Sequence, residues 1–520
     1  MDRALTQDVG LIVAGGLSDV GARAAAAAFT RLAGVRHGTD PAAASDALAQ
    51  PDAPDWWLLV DRAAQPAPGL VSTLLAELGR LPDGTGAYSD FYLDLTGGVA
   101  AAGAAALARA DVGAWSKERA RWQDYTGSVA LVRSEALRAA IDEGVDPAAA
   151  SSSLRHRALV QSALLGSVAY AREPLYTVPR DVIGPVGAAE RAGMLTLQRA
   201  GFTLPGGLPP RQLAQWPGVS IVIPTRGGRA RVGGRTRRLI DVTMRSFIDT
   251  TRQLQPEFVL VVDDDVPYDY VDPWQGELGD RLRIVATSPP FNFSAKVNAG
   301  IAAASGDVVA IMNDDMSAIT DTWLDNLVAA ACEPDVGAVG AMLLLESGDI
   351  QHAGHHYTAT GPYLLDVGRP LGPGPRGRNA CDRDVTGVTA ACLVQRKEVW
   401  DQVGGLAEEF PVSFNDVDYC ERIALAGYRI VQCNSSRLFH YESRTRRRGA
   451  TEDEIELFVQ RLGHRLAPDP MTPYEPPPKP HWRQQASYRW DKLRSTWAAG
   501  GASGVLAALR TRGGDDGPAG

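Results

Sequence analysis

The stretch "AIMNDDMS" (310–317) decides how this chain is read. A short apolar run, Val308 to Met312, stops at Asn313, Asp314 and Asp315. Neighbouring carboxylates repel each other and cost free energy to bury, so a strand end bearing two of them needs open solvent or a compensating charge. Two readings follow. The pair is a solvated turn or helix cap ahead of "SAITDTW", or it holds a divalent cation, whose preferred ligands are carboxylate oxygens.

Upstream, "SIVIP" (220–224), "FVLVV" (258–262) and "LRIVAT" (282–287) share the Val/Ile-rich character of "VVAIM" (308–312) and read as buried parallel strands. Helices are expected over roughly 238–252 and 294–305, the second stopped by Gly306. Alternating strands and helices imply a sheet covered on both faces, with ligands beyond the carboxyl ends of its strands. Those ends carry "PTRG" (224–227), "DDD" (263–265) and "NDD" (313–315), so three polar clusters meet on one rim. Further on, Asp416 and Asp418 precede a helix expected from about Tyr419; they suit either helix caps or a general base beside a bound phosphate. His440 follows the strand-like "YRIVQCNSSRLF".

At 520 residues the chain exceeds one ordinary core. With 45% hydrophobic and 22% charged residues it is globular, and a net charge of −9 argues against a nucleic-acid partner. Five widely spaced cysteines without a CxxC pair exclude a disulfide scaffold and a cysteine zinc site, and suit a reducing compartment. The N-terminus reads as a strand more than a signal peptide, and no apolar run is long enough to span a membrane. A cytoplasmic location is expected, with the inner membrane face as an alternative. Four segments are expected: an α/β domain over 1–185, a helix and Pro/Gly linker over 186–217, a larger α/β domain over 218–465, and a Pro-rich spacer with a tail over 466–520. In the tail Ala486, Trp490, Leu493 and Trp497 share one helical face, which either packs on the protein or rests on an anionic membrane surface.

The ordered motifs "VSIVIPTRG", "FVLVVDDD", "PFNFSAKVNAGIAAASGDVVAIMNDDM", "VGAVGAMLLLESGDIQHAG", "VTGVTAACLVQRKEVWDQVGGL", "FNDVDYCERIALAGYRIV" and "LFHYESRTR" resemble the catalytic domain of family-2 glycosyltransferases with the GT-A fold. The nearest branch is the bacterial rhamnosyl- and galactofuranosyltransferase-like enzymes of two-module type. The resemblance covers 219–448. It implies a Rossmann-like mixed α/β sheet and a metal-dependent inverting transfer from a UDP-, dTDP- or GDP-linked sugar to a hydroxyl of a cell-wall glycan or lipid-linked glycan. Residue by residue, it assigns Pro224, Thr225, Arg226, Asp263, Asp264, Asn298 and Asp314 to the donor. Asp315 and His440 become ligands of Mg2+ or Mn2+, with Asn313 a weaker contributor. Asp416 becomes the catalytic base, and His352, in the loop "QHAGHH" (351–356), borders the acceptor together with Asp418.

One departure is "RGGRARVGGRTRR" (226–238), with six Arg, four Gly and no acid, where the family passes directly into a helix. This basic loop either closes over a ligand or is a solvated insertion. A second feature is internal similarity. The stretch 55–90 parallels 307–342, and 125–141 echoes 385–403, with Asp61 opposite Asn313 and Ala63 where Asp315 stands. The N-terminal domain is therefore expected to be a degenerate GT-A-like copy without its metal ligand. Rival readings are a glycan-binding pseudoenzyme and a sugar nucleotidyltransferase; the latter needs a phosphate-loop lysine, which 224–234 lacks.

Overall fold

A computed structural model describes residues 9–13, 27, 38–39, 44–60, 64–94, 107–110, 112–122, 125–143, 151–179, 213–251, 253–358, 361–372, 374, 377–441, 450–463, 469 and 471. Asp61, Ala63, the 186–212 part of the linker, residues 442–449 and the tail helix lie outside them. The chain divides into two compact units. One comprises Met1–Pro210 with Pro375–Cys381 and Pro470–Pro473; the other comprises Arg211–Gly374, Asp382–Asp469 and Tyr474–Gly520.

In the first unit the sheet strands are β1 (Val9–Val13), β2 (Gly38–Thr39), β3 (Trp56–Val60), β4 (Gln65–Pro66), β5 (Gly84–Asp94), β6 (Leu107–Ala110), β7 (Val129–Arg133) and β8 (Ser167–Pro179). They run in the order β2-β1-β3-β7-β5-β8-β4, with β6 on β5. Strand β3, "WWLLV", is buried on both sides, as its unbroken apolar run demands.

The second unit holds β9 (Val219–Pro224), β10 (Arg229–Val232), β11 (Arg235–Arg238), β12 (Glu257–Asp263), β13 (Leu282–Thr287), β14 (Val308–Met312), β15 (Met316–Ala318), β16 (Val336–Leu344), β17 (Ile350–His352), β18 (His355–Thr358), β19 (Gly361–Leu364), β20 (Arg383–Asp384), β21 (Cys392–Arg396) and β22 (Arg429–His440). Its ten-stranded sheet runs β13-β12-β9-β14-β21-β16-β22-β15, with β17 on β16 and β20 on β22. The first four are parallel and β21 is antiparallel to both neighbours, which makes the sheet mixed. The segment β1-β3-β7-β5-β8 of the first unit repeats β9-β14-β21-β16-β22 of the second, strand sense included. The stretches paired by sequence similarity occupy matching strands.

Side chains alternate along each strand between two cores. Ile221, Ile223, Leu260 and Met312 pack with Met244, Phe247 and Trp323 from the helices Leu239–Thr250 and Trp323–Ala331. Val222, Val261 and Ile311 pack with Val297, Trp400 and Ile423 on the opposite face. Gly300 lies in the helix Phe293–Ala303, where a Cβ would come within 2.4 Å of Val222 Cγ1 and 2.7 Å of Val261 Cγ2. Gly300→Val is therefore expected to overpack this face and lower stability by about 1–3 kcal/mol, read as a lower urea midpoint at unchanged slope.

Four local expectations are corrected. "LRIVAT" is an edge strand, half open because only β12 pairs with it. "QHAGHH" is not a loop but parts of β17 and β18. The 226–238 segment is a β-hairpin whose Gly233 and Gly234 both take positive φ (58° and 77°), the backbone of a tight two-residue turn. The helix expected from Tyr419 begins at Asn415, after Phe414 turns through left-handed backbone (φ 62°), so Asp416 and Asp418 sit inside its first turn.

Candidate active site

The "NDD" segment leaves β14 and enters β15, not a helix. Thr243, on the helix Leu239–Thr250, holds this corner: its hydroxyl donates to Asp314 O (2.8 Å) and accepts from Met316 N–H (2.9 Å). The antiparallel register of β15 on β22 sets Met316 opposite His440, which brings His440 beside Asp315.

The two adjacent carboxyls differ. Asp314 Oδ2 accepts from Thr225 Oγ1 at 2.5 Å. Burial first, and the neighbouring Asp315 second, push its pKa up to about 7. The ionisation of Asp314 is thus held back beside Asp315. Asp315 Oδ1 is buried, accepts no hydrogen bond, and lies 3.1 Å from His440 Nε2. His440 Nδ1 sits 2.8 Å from Gln351 Oε1, an acceptor that calls for the ring proton on Nδ1. Nε2 is then an acceptor, taking a hydrogen bond from the Asn313 amide at 3.1 Å while lying 3.1 Å from the Asp315 oxygen. A carboxylate oxygen and an unprotonated imidazole nitrogen this close fit a shared divalent cation. Among the described residues no three His, Cys, Asp or Glu side chains converge, so the protein itself would supply Asp315 and His440, leaving further positions to a ligand's oxygens.

Toward β9 and β12 the site is basic as well as acidic. Lys296 Nζ donates to Asp263 Oδ1 (2.9 Å) and Thr225 O (3.4 Å), with Lys296 and Asp263 both buried. The half-exposed Arg226 reaches Asp263 (3.5 Å) and Asp265 (2.8 Å). Tyr270 packs under Gly227, and burial pushes its phenol up to about 12. Lys296→Met would leave Asp263 buried with only the more distant Arg226. A loss of about 3–5 kcal/mol in denaturant unfolding is expected, with much of it recovered in the Lys296→Met/Asp263→Asn double variant.

The turn 389–391, leading into β21, joins the remaining residues. Ala391 O accepts from Asn313 N–H (3.0 Å), Ala390 N–H donates to Asp416 Oδ2 (3.3 Å), and Thr389 N–H donates to His352 Nε2 (3.3 Å). Asn313 and Asp416 thus flank one short turn. His355 Nε2 lies 3.8 Å from Asp416 Oδ2, and burial lowers the pKa of His355 against the pull of that carboxylate. His352 is buried and held well below the usual histidine range, by burial first and by His355 second. Its ring meets that of His355 edge-on at 5.3 Å.

Residues 220–404 match the model of Glycosyl transferase family 2. This segment is a family 2 glycosyltransferase domain. The chain is 31% identical over 365 residues to the O-antigen biosynthesis protein RfbC of Myxococcus xanthus, covering 65% of this chain and 27% of that protein. It is 35% identical over 272 residues to the uncharacterized protein y4gI of Sinorhizobium fredii, covering 50% of this chain and 29% of that one. The chain thus spans less than a third of the length of either relative. Solved structures resembling it include GalNAc-T7 with UDP, GalNAc and Mn2+ (TM-score 0.39, 12% identity, 47% of this chain and 48% of that one). Another is the mannosyltransferase PcManGT of Pyrobaculum calidifontis with GDP-Man and Mn2+ (TM-score 0.33, 15% identity, 62% and 84%).

Within the matched segment, Pro224, Thr225, Arg226, Asp263 and Asp314 lie at neighbouring strand ends; Asn313 and Asp315 meet His440, which lies beyond residue 404, beside them. Asp264 is exposed and accepts from Ser288 (2.6 Å). Two residues are engaged elsewhere. The Asn298 amide bonds the Leu406 backbone in both directions and Glu408, so it anchors that segment to its helix. Asp418 pairs with Arg422 (2.9 Å) and Arg461 (3.6 Å). Motif reading passed over Lys296, Gln351, Tyr270 and His355. Lys296 alone left a trace, as a lysine in an otherwise small and apolar helical stretch.

Proposed function

We propose that the family 2 domain is a metal-dependent inverting glycosyltransferase. It moves a sugar from a nucleoside-diphosphate donor to a hydroxyl of a cell-envelope glycan or glycolipid. The observation that carries this reading is the placement of Asp416 and the Asn313–Asp315 cluster on either side of the Thr389–Ala391 turn. A general base there stands next to a site for a charged leaving group.

In this reading Thr225, Arg226 and Asp263 bind the nucleoside part, and Asp315 and His440 hold Mg2+ or Mn2+. The cation, when bound, neutralises the developing diphosphate charge. Asp416 accepts the acceptor hydroxyl proton as that oxygen bonds to the anomeric carbon and the bond to the diphosphate breaks, which inverts the centre. His352 and His355 wall the acceptor side, where burial lowers the basicity of both imidazoles. The likeness to a protein named for O-antigen biosynthesis supports a polysaccharide acceptor.

Thermal unfolding with UDP, dTDP and GDP, each with and without Mn2+ or Mg2+, tests the reading. One diphosphate at about 100 times its Kd, with metal only, should add roughly 2.7 kcal/mol of stability. Absence of stabilisation by every combination overturns it.

A further inference from the structure

Asp416 lies in the first turn of the helix Asn415–Leu425, its side chain 19% exposed. Two backbone groups reach its carboxylate: Val417 N–H donates to Oδ1 (2.9 Å) and Ala390 N–H to Oδ2 (3.3 Å). The third group beside it is a buried imidazole, with His355 Nε2 at 3.8 Å from Oδ2. No step of the proposed transfer uses that ring.

His355 stands opposite Gly387, and its backbone N–H donates to Gly387 O at 2.6 Å. The ring fits there because residue 387 is glycine: a Cβ would stand 2.7 Å from His355 Nδ1 and 3.2 Å from Cys420 Cβ. Nδ1 itself meets no hydrogen-bond partner among the described residues. Burial lowers the pKa of the ring, which favours the form with a single N–H. On Nδ1 that proton would be a buried donor without an acceptor, a costly arrangement. On Nε2 it faces a carboxylate oxygen, so the surroundings select the Nε2–H tautomer. A ring protonated on both nitrogens presents the same Nε2–H. The 3.8 Å separation exceeds a hydrogen bond, as contacts between a base and its orienting group often do before substrate binds. Titratable neighbours of the pair are Tyr357 on β18, Cys420 on the same helix as Asp416, and His352 on β17. Burial raises the pKa of the first two and lowers that of the third, so it disfavours charge on all three.

We propose that His355 is a positioning residue for the transfer reaction, its Nε2–H holding the Asp416 carboxylate in the orientation from which it takes the acceptor proton. The proposal rests on the reading of Asp416 as the base. His355 acts through Asp416 and does not take the proton itself. A donor on the ionised carboxylate also favours that ionised form, which keeps the base ready at lower pH.

The first test reads the pair without turnover: long-range proton–nitrogen spectra of the full chain labelled with 15N-histidine, with His355 assigned through His355→Gln. A proton on Nε2 is expected, with both ring nitrogens displaced in Asp416→Asn; an unprotonated Nε2 overturns the proposal. The second test is kinetic, following release of nucleoside diphosphate from UDP-galactose, dTDP-rhamnose and GDP-mannose with Mn2+ and water as acceptor. His355→Leu should lower kcat by about ten- to a hundredfold with the donor KM unchanged, the worth of one hydrogen bond to a charged group. The acid limb of its kcat profile should move to higher pH, because the ionised carboxylate has lost a donor. His355→Gln, whose amide N–H reaches the place of Nε2, should restore most of the rate and the position of that limb. Equal losses in both variants would make the ring a matter of shape alone and overturn the proposal, as would a Leu variant with unchanged kcat or one altered only in KM. A parent that releases no diphosphate from any donor overturns the functional reading and this role with it, while the spectra still report whether the pair exists. Should His355→Leu fail to fold, the Gln variant and the spectra decide.

Discussion

Asp315→Ala should abolish the stabilisation that metal and nucleoside diphosphate confer together, while leaving the ligand-free protein at least as stable as before. The physical asymmetry lies in the pair. Without a cation, Asp315 raises the cost of ionising Asp314, and its own Oδ1 is buried without a hydrogen bond. Removing that carboxylate relieves a repulsion and deletes an unsatisfied atom, so the bare fold is not weakened. With a cation the same carboxylate becomes its anchor, and the variant forfeits the roughly 2.7 kcal/mol expected at about 100 times Kd. Turnover should fall by about a thousandfold or more, since Lewis-acid stabilisation of a leaving group contributes several kcal/mol. Calorimetric unfolding of both proteins with Mn2+ and the preferred diphosphate checks this. Full metal-dependent stabilisation in the variant would show that the cation binds elsewhere.

Asp416→Asn should give the opposite division: turnover lowered by about 10²–10⁴-fold, with the metal and diphosphate stabilisation untouched. Asparagine keeps the shape of the side chain, and its Oδ1 can still accept the 2.9 Å bond from Val417 N–H in the first turn of the helix. What it lacks is a basic oxygen. Steady-state kinetics beside the same unfolding experiment separates the two cases. If the diphosphate no longer stabilises this variant, Asp416 belongs to the donor side and the assignment of base fails. Together the two variants form a cross: one loses binding and turnover, the other turnover alone.

Most of the scaffold could be read from local pattern. Runs such as "FVLVV" and "VVAIM" are too apolar for a half-exposed strand, so burial on both faces and a parallel core follow from composition alone. "LRIVAT" shows the limit of that inference. The same residue types occupy an edge, because edge or centre is decided by which other strands arrive, not by the strand itself. The basic insertion was visible as composition, yet its hairpin form rests on two positive-φ glycines and on Tyr441, about 200 residues distant, covering Ala230 and Val232.

The candidate site divides in the same way. Asn313, Asp314 and Asp315 stood out because polar residues at the end of an apolar strand are costly unless used, and that is a local fact. Partnership is not local. His440 reaches Asp315 through the register of β15 on β22, and Asp416 reaches the turn 389–391 through the placement of a helix. Lys296 and Gln351 reveal their roles only as neighbours of Asp263 and His440. Asn298 and Asp418, polar and conspicuous, are engaged by Leu406 and Arg422 in the folded chain. By itself the sequence determined the strands, the rim they end on and the residue types gathered there, because hydrophobic period and charge cost act over a few residues. Only the tertiary structure decided which of those groups face one another, because hydrogen bonds and ion pairs depend on distances that chain separation does not encode.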